Sequence, residues 1–184
     1  MINIRKTDII AILGKRGSGK STFLKWLISK LKYSIVLLDT MLEHKRYGKH
    51  VMLVKPKPFK TQYNSLLKYA IELALNTKSI LAIDELSYYQ NPRNIPKKLN
   101  DFVQYGRHFN TGFIFTSRRP AEIHKNILAN TNHFFIFKID LPNDIYYLSS
   151  YVPIKLLHKL KRLTPHSFIY YGDYGVKVFK PLKL

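Results

Sequence analysis

The chain has 184 residues, 46% of them apolar, with 31 Lys and Arg against 11 Asp and Glu and a net charge of +20. That much apolar sequence supports one full core and argues against disorder, while the charge favours a polyanionic partner. The lack of cysteine excludes disulfides and thiolate metal sites, and without an apolar run of about 18 residues no membrane span is expected.

Met1 leads through Arg5 and Lys6 into Ile9-Ile10-Ala11-Ile12-Leu13, which reads as a buried strand. This leaves no room for a cleaved signal, so an intracellular, cytoplasmic protein is expected. Gly14-Lys15-Arg16-Gly17-Ser18-Gly19-Lys20-Ser21 then fits G-x-x-x-x-G-K-[ST] at every fixed position. Its glycines let the backbone N–H groups approach an anion. The helix that follows adds unpaired N–H groups and the positive end of its dipole. Residues Gly14 to Thr22 are therefore the predicted binding segment for ATP. Lys20 is placed to reach the β- and γ-phosphates, and Ser21 to ligate Mg²⁺. Phe23, Leu24, Leu27, Ile28 and Leu31 share one helical face.

Tyr33 to Asp39 reads as a second strand, with Asp39 at a position where α/β folds place polar residues near the site. Charge then concentrates: residues 41–60 carry six basic and one acidic side chain, and residues 155–184 seven and one. Lys45, Arg46 and Lys49 fall in the first cluster. Val51–Val54 is a short third strand. The spacing predicts a helix over 60–77, a buried strand over 79–85, a loop at Asn91–Asn94 and a helix from about Pro96 to Phe109 that opens with Lys97 and Lys98. A strand over 112–117, a helix starting near Pro120 and a strand over 133–139 follow. Lys155 to Leu163 reads as a short basic helix, and residues 167–180 as a β-hairpin. This alternation implies an α/β fold with a mostly parallel sheet and helices on both faces. Residues 1–154 form the core of that reading; 155–184 add a basic helix and hairpin to the same domain.

Ile80-Leu81-Ala82-Ile83-Asp84-Glu85 supplies the second half of an NTPase site. A strand ending in Asp84 sets a carboxylate beside the phosphate loop, to hold Mg²⁺ directly or through water. Glu85, one residue on, is suited to polarise the attacking water.

The segment Gln104 to Pro120, with Gly106-Arg107-His108 before the strand and Thr116-Ser117-Arg118-Arg119-Pro120 at its end, resembles the FtsK–HerA superfamily of DNA-pumping ATPases. There a GR(K/H)xxxG helix end precedes a strand finishing in (T/S)QRP. Ala121 to Lys125 and Asn130 to His133 also look like that family, and the small size looks most like its viral genome-packaging branch. The resemblance covers residues 8–140. It implies a RecA-like P-loop fold of the ASCE class, a ring that is commonly hexameric, and double-stranded DNA as partner. Capsid or portal-like vertex proteins would be further partners, and the packaging vertex a second location. Arg107 matches the arginine given in trans to a neighbour's nucleotide. Arg118 stands where the family has Gln; it senses the γ-phosphate as a cation, or Thr116 or Ser117 takes that role. Lys45, Arg46, Lys49, Lys97 and Lys98 are the candidate DNA contacts, and the C-terminal helix and hairpin offer another.

The leading expectation is thus an Mg²⁺-dependent ATPase that moves duplex DNA through a ring, since a motor must hold phosphates without reading bases. The alternatives are a small nucleoside or nucleotide kinase, which would need an Arg-rich lid, and a morphogenesis or secretion ATPase of the filamentous-phage type, which usually carries a membrane span.

Overall fold

The computed structural model describes residues 2–44, 47–56 and 63–182. Eight strands form one sheet: β1 (Ile9–Leu13), β2 (Ile35–Asp39), β3 (Val51–Val54), β4 (Ile80–Asp84), β5 (Phe113–Ser117), β6 (His133–Ile136), β7 (Phe168–Gly172) and β8 (Gly175–Phe179). Their order is β3-β2-β4-β5-β1-β6-β7-β8. The first six strands run parallel. The C-terminal hairpin then continues the same sheet, with β7 antiparallel to β6 and β8 antiparallel to β7. Every residue of β1, β2, β4 and β5 is buried. That is why their sequences read as unbroken apolar runs and not as alternations: a parallel sheet covered on both faces has no wet side.

The helices are α1 (Lys20–Lys30), α2 (Tyr63–Asn76), α3 (Lys97–Tyr105), α4 (Lys125–Ala129), α5 (Pro142–Leu148) and α6 (Ile154–Leu157). Along β1, side chains alternate between two cores. Ile9, Ala11 and Leu13 pack with Leu67, Ile71, Leu99, Ile127, Leu148 and Leu157 from α2 to α6. Ile10 and Ile12 pack on the other face with Phe23, Leu24, Leu27 and Ile28 of α1. Here Phe23 carries the positional information. Its ring lies 4.7 Å from that of Phe135 and 4.8 Å from that of Phe168. Burying a side chain of this size contributes roughly 1.5–3 kcal/mol, and it pins the first turn of α1, where the phosphate loop ends.

At the other end of the strands, a buried chain of polar groups joins distant parts of the sequence. Asp8 Oδ2 accepts from His133 Nε2 at 2.9 Å, and His133 Nδ1 lies 2.9 Å from the Tyr170 hydroxyl. The arrangement ties the entry to β1 to strands β6 and β7.

Four local expectations are revised. The helix placed at Pro120 is instead a 3-10 turn, Pro120–Glu122, an extended Ile123, and then α4. The break has tertiary causes: buried Asp144 accepts from the Ala121 N–H at 3.0 Å, Gln90 accepts from the His124 N–H at 2.7 Å, and the His124 side chain caps α4. Residues 142–148 form α5, which the apolar spacing did not mark. The strand over 133–139 pairs only to Ile136, because the chain then peels off to flank the phosphate loop, where Lys138 O accepts from the Lys15 N–H at 2.9 Å. The basic helix over 155–163 is short α6 running into a 3-10 turn, His158–Arg162. The predicted start of the 60–77 helix lies outside the described residues.

Candidate active site

The phosphate loop joins β1 to α1 at the C-terminal ends of the parallel strands, the position where open α/β sheets bind ligands. Gly14 has φ of 152°, and a Cβ there would lie 2.6 Å from Phe137 Cβ, so no other residue fits. Gly17 and Gly19 hold the left-handed turns of the loop, with φ of 74° and 105°. Ser18 Oγ is buried with no hydrogen-bond partner among the described residues. A buried, orphaned hydroxyl beside a helix N-terminus is what a phosphate oxygen would satisfy. Lys20 is buried and folds back to donate to the Lys15 carbonyl at 3.0 Å. Burial lowers its pKa, and Arg118 adds to that effect against the opposing pull of Glu85 and Asp84.

A cavity of about 360 Å³ opens over this loop, lined by Arg16, Lys20, Ser21, Thr22, Asp84, Glu85 and Arg118 among others. The structure therefore brings the loop, the two acids and Arg118 together. Asp84 is held on both oxygens: Oδ1 accepts from Thr116 Oγ1 at 2.8 Å, and Oδ2 from His44 Nε2 at 3.1 Å. Burial pushes the Asp84 carboxyl up, but the hydrogen bonds from His44 and Thr116, with Lys20 nearby, hold it below the usual carboxylate range. Thr116 Oγ1 also accepts from the Glu85 N–H at 2.8 Å, so one hydroxyl sets both acids. Glu85 itself has φ of 65°, a left-handed geometry that costs energy outside glycine. Its carboxylate accepts from Ser87 Oγ at 2.8 Å and pairs with Arg118 Nε at 2.9 Å.

His44 and Tyr47 are site residues that sequence reasoning missed. The Tyr47 hydroxyl meets His44 Nδ1, which leaves the Nε2 proton for Asp84. Burial, with Asp39 and Asp84 close by, raises the Tyr47 pKa, so the phenol stays a donor. Asp39, His44 and Asp84 lie close enough to suggest a metal cluster. Their existing bonds argue otherwise. Asp39 accepts from the backbone N–H groups of Glu43 and His44, both at 3.0 Å, and so folds the turn that delivers the imidazole. No spacing rule flags a histidine five residues past a strand, so only the fold reveals it.

Arg107 lies elsewhere. It is exposed on the 3-10 turn that ends α3, beside a second cavity of about 450 Å³ lined by Thr7, Asp8, Gly112 and Asn132. These are the N-terminal ends of the strands. The length of β1, about 16 Å at a strand's rise per residue, separates Arg107 from its own phosphate loop. Among the basic candidates, Lys49 is exposed in the turn before β3 and Lys97 is exposed at the start of α3, whereas Lys98 pairs with Glu72 of α2. Lys45 and Arg46 lie outside the described residues.

Comparison with known proteins bears on the fold. The chain superposes on the genome packaging NTPase B204 of Sulfolobus turreted icosahedral virus 2, in complex with AMP, with a TM-score of 0.80 and 19% identity, covering 98% of this chain and 100% of that one. The DNA-packaging ATPase B204 of Sulfolobus turreted icosahedral virus gives 0.80 and 20%, with the same coverage. The N-terminal domain of zonular occludens toxin from Neisseria meningitidis gives 0.62 and 11%, covering 97% of this chain and 96% of that one. At these identities the likeness is one of fold, that of a RecA-like P-loop NTPase. No curated protein sequence matches the chain. The family described as AAA domain matches residues 6–136, which hold the phosphate loop, both acids, β5 and the Arg118 that follows it, and the chain belongs to that family.

Proposed function

We propose that the chain is an ATPase subunit that drives double-stranded DNA through a homo-oligomeric ring during viral genome packaging, in the host cell at the capsid vertex. The observation that carries this reading is the end-to-end correspondence with the B204 packaging enzymes, from the first strand through the C-terminal hairpin. The net charge of +20 supports a polyanionic cargo.

In this reading the γ-phosphate of ATP enters where Lys20, Glu85 and Arg118 converge. Lys20 exchanges the Lys15 carbonyl for phosphate oxygens. Ser21 and Asp84 are the residues that would hold Mg²⁺, which when bound neutralises charge on the phosphate oxygens. Arg118 is drawn from Glu85 towards the γ-phosphate, and the freed carboxylate takes the proton of the attacking water. Arg107, remote from its own loop, stabilises transition-state charge in a neighbouring subunit. Such a contact joins unlike surfaces, and unlike surfaces that close make rings; six subunits is the expected number.

Two measurements test it. Duplex DNA should stimulate ATP hydrolysis several-fold; phosphoryl transfer to a nucleoside with no DNA effect would indicate a kinase instead. Arg107→Ala and Lys20→Ala subunits should each be inactive yet regain activity when mixed, with a bell-shaped dependence on ratio. A flat zero in rings shown to be mixed rejects the trans role.

A further inference from the structure

Thr164-Pro165-His166-Ser167 makes a tight turn closed by the Ser167 N–H on the Thr164 carbonyl at 3.1 Å. Pro at the second position and positive φ at the third mark a type II turn. The third position normally takes glycine, because φ there is left-handed. Here it is His166, with φ of 61°. The side chain is exposed, and its imidazole has no hydrogen-bond partner among the described residues. It does not hang in open solvent. A Cβ built on Gly19 of the phosphate loop would lie 3.3 Å from His166 Nδ1, and the imidazole lines the nucleotide cavity with Ser21 and Thr22.

The strand order shows which end of the nucleotide this is. Asp84, Glu85, Thr116 and Arg118 come from the ends of β4 and β5, on one side of β1. The 164–167 turn leads into β7, on the other side. A triphosphate whose γ end meets Glu85 and Arg118 must carry its nucleoside towards β6 and β7, past Ser21 and Thr22. We infer that His166 is a binding residue for the nucleoside end of the nucleotide, its imidazole stacking on the base. Backbone strain is accepted at this turn to set an aromatic ring where glycine would leave a gap. The inference rests on the reading of the cavity as an ATP site.

The test compares MgATP with magnesium tripolyphosphate by titration calorimetry, in the wild-type chain and in H166G, H166F and H166N. Base stacking of about 1–3 kcal/mol corresponds to roughly a five- to 150-fold change in Kd. H166G should lose about tenfold in ATP affinity with tripolyphosphate binding unchanged, and H166F should restore the ATP affinity. Because glycine suits the left-handed position, the H166G melting temperature should not fall; if that variant fails to fold, H166N tolerates the same backbone and takes its place. Unchanged ATP affinity in H166G or H166N overturns the inference, as does equal loss of both ligands. Wild-type protein that binds neither ligand overturns the ATP-site reading and the inference with it.

Discussion

Lys20 shows how a single residue is held in readiness for its ligand. Burial lowers its pKa, so folding disfavours the charged form. The sign of the linkage follows: the cost is present below the lowered folded pKa and is relieved as pH rises through it. A Lys20→Met chain should therefore be no less stable than wild type at pH 7 without nucleotide, and about 0–1 kcal/mol more stable. With ATP the order should reverse. Ligand at 100 times its Kd adds about 2.7 kcal/mol to a chain that binds it, and the variant should gain none of this. Thermal melts with and without MgATP decide the matter; a variant that melts far below wild type without nucleotide would give Lys20 a structural role. At this scale the sequence is most informative where backbone conformation constrains residue type. The phosphate loop, Asp84 and Glu85 were all legible, because glycine and adjacent acids are rare solutions to rare demands. His44 was not, since its partner Asp84 is 40 positions away and only the turn capped by Asp39 brings them together. Nor was the Glu85–Arg118 pair, although Arg118 stood out as a departure.

Elements followed their apolar periodicity wherever sheet burial dominated. Strands β1, β3 and the hairpin came out as the residue pattern indicated, while the region after Pro120 did not. There the local pattern was overruled by Asp144 and Gln90, whose hydrogen bonds take N–H groups that a continuous helix would have used. The resemblance motif around Gly106 to Gly112 also has an element-level explanation. A Cβ on Gly112 would lie 2.1 Å from the Lys6 carbonyl oxygen and 2.9 Å from that of Asp8, both backbone atoms. The start of β5 slides beneath the entry to β1 with no space for a methyl group. Gly112→Ala should destabilise the fold by roughly 3 kcal/mol or more, through displacement of the central strand pair. Urea denaturation measures it, and a loss below about 0.5 kcal/mol would show that the crossing relaxes freely.

For the whole molecule, charge and topology carry different information. A basic chain that holds duplex DNA by its phosphates should show affinity falling steeply with salt, with a log–log slope of about 0.9 per phosphate contact, and little preference among sequences. Fluorescence anisotropy across salt concentrations reads both; a flat salt response would leave the net charge without this role. Composition predicts a polyanionic partner, but not where on the surface it would bind, because Lys49 and Lys97 belong to separate elements and Lys98 is engaged with Glu72. The strand order has a consequence in time as well as in space. β1 is the first strand made, yet its neighbours in the sheet are β5 and β6, the fifth and sixth. At about 5–20 residues per second, the ribosome delivers Phe113 roughly 5–20 s after Ile9. Until then the most apolar strand of the protein has no partner, and β2, β3 and β4 can assemble only as a half-sheet with one raw edge. The part of the chain that will hold the phosphate is synthesised first and completed late, so the nucleotide can select only molecules that have already closed their sheet.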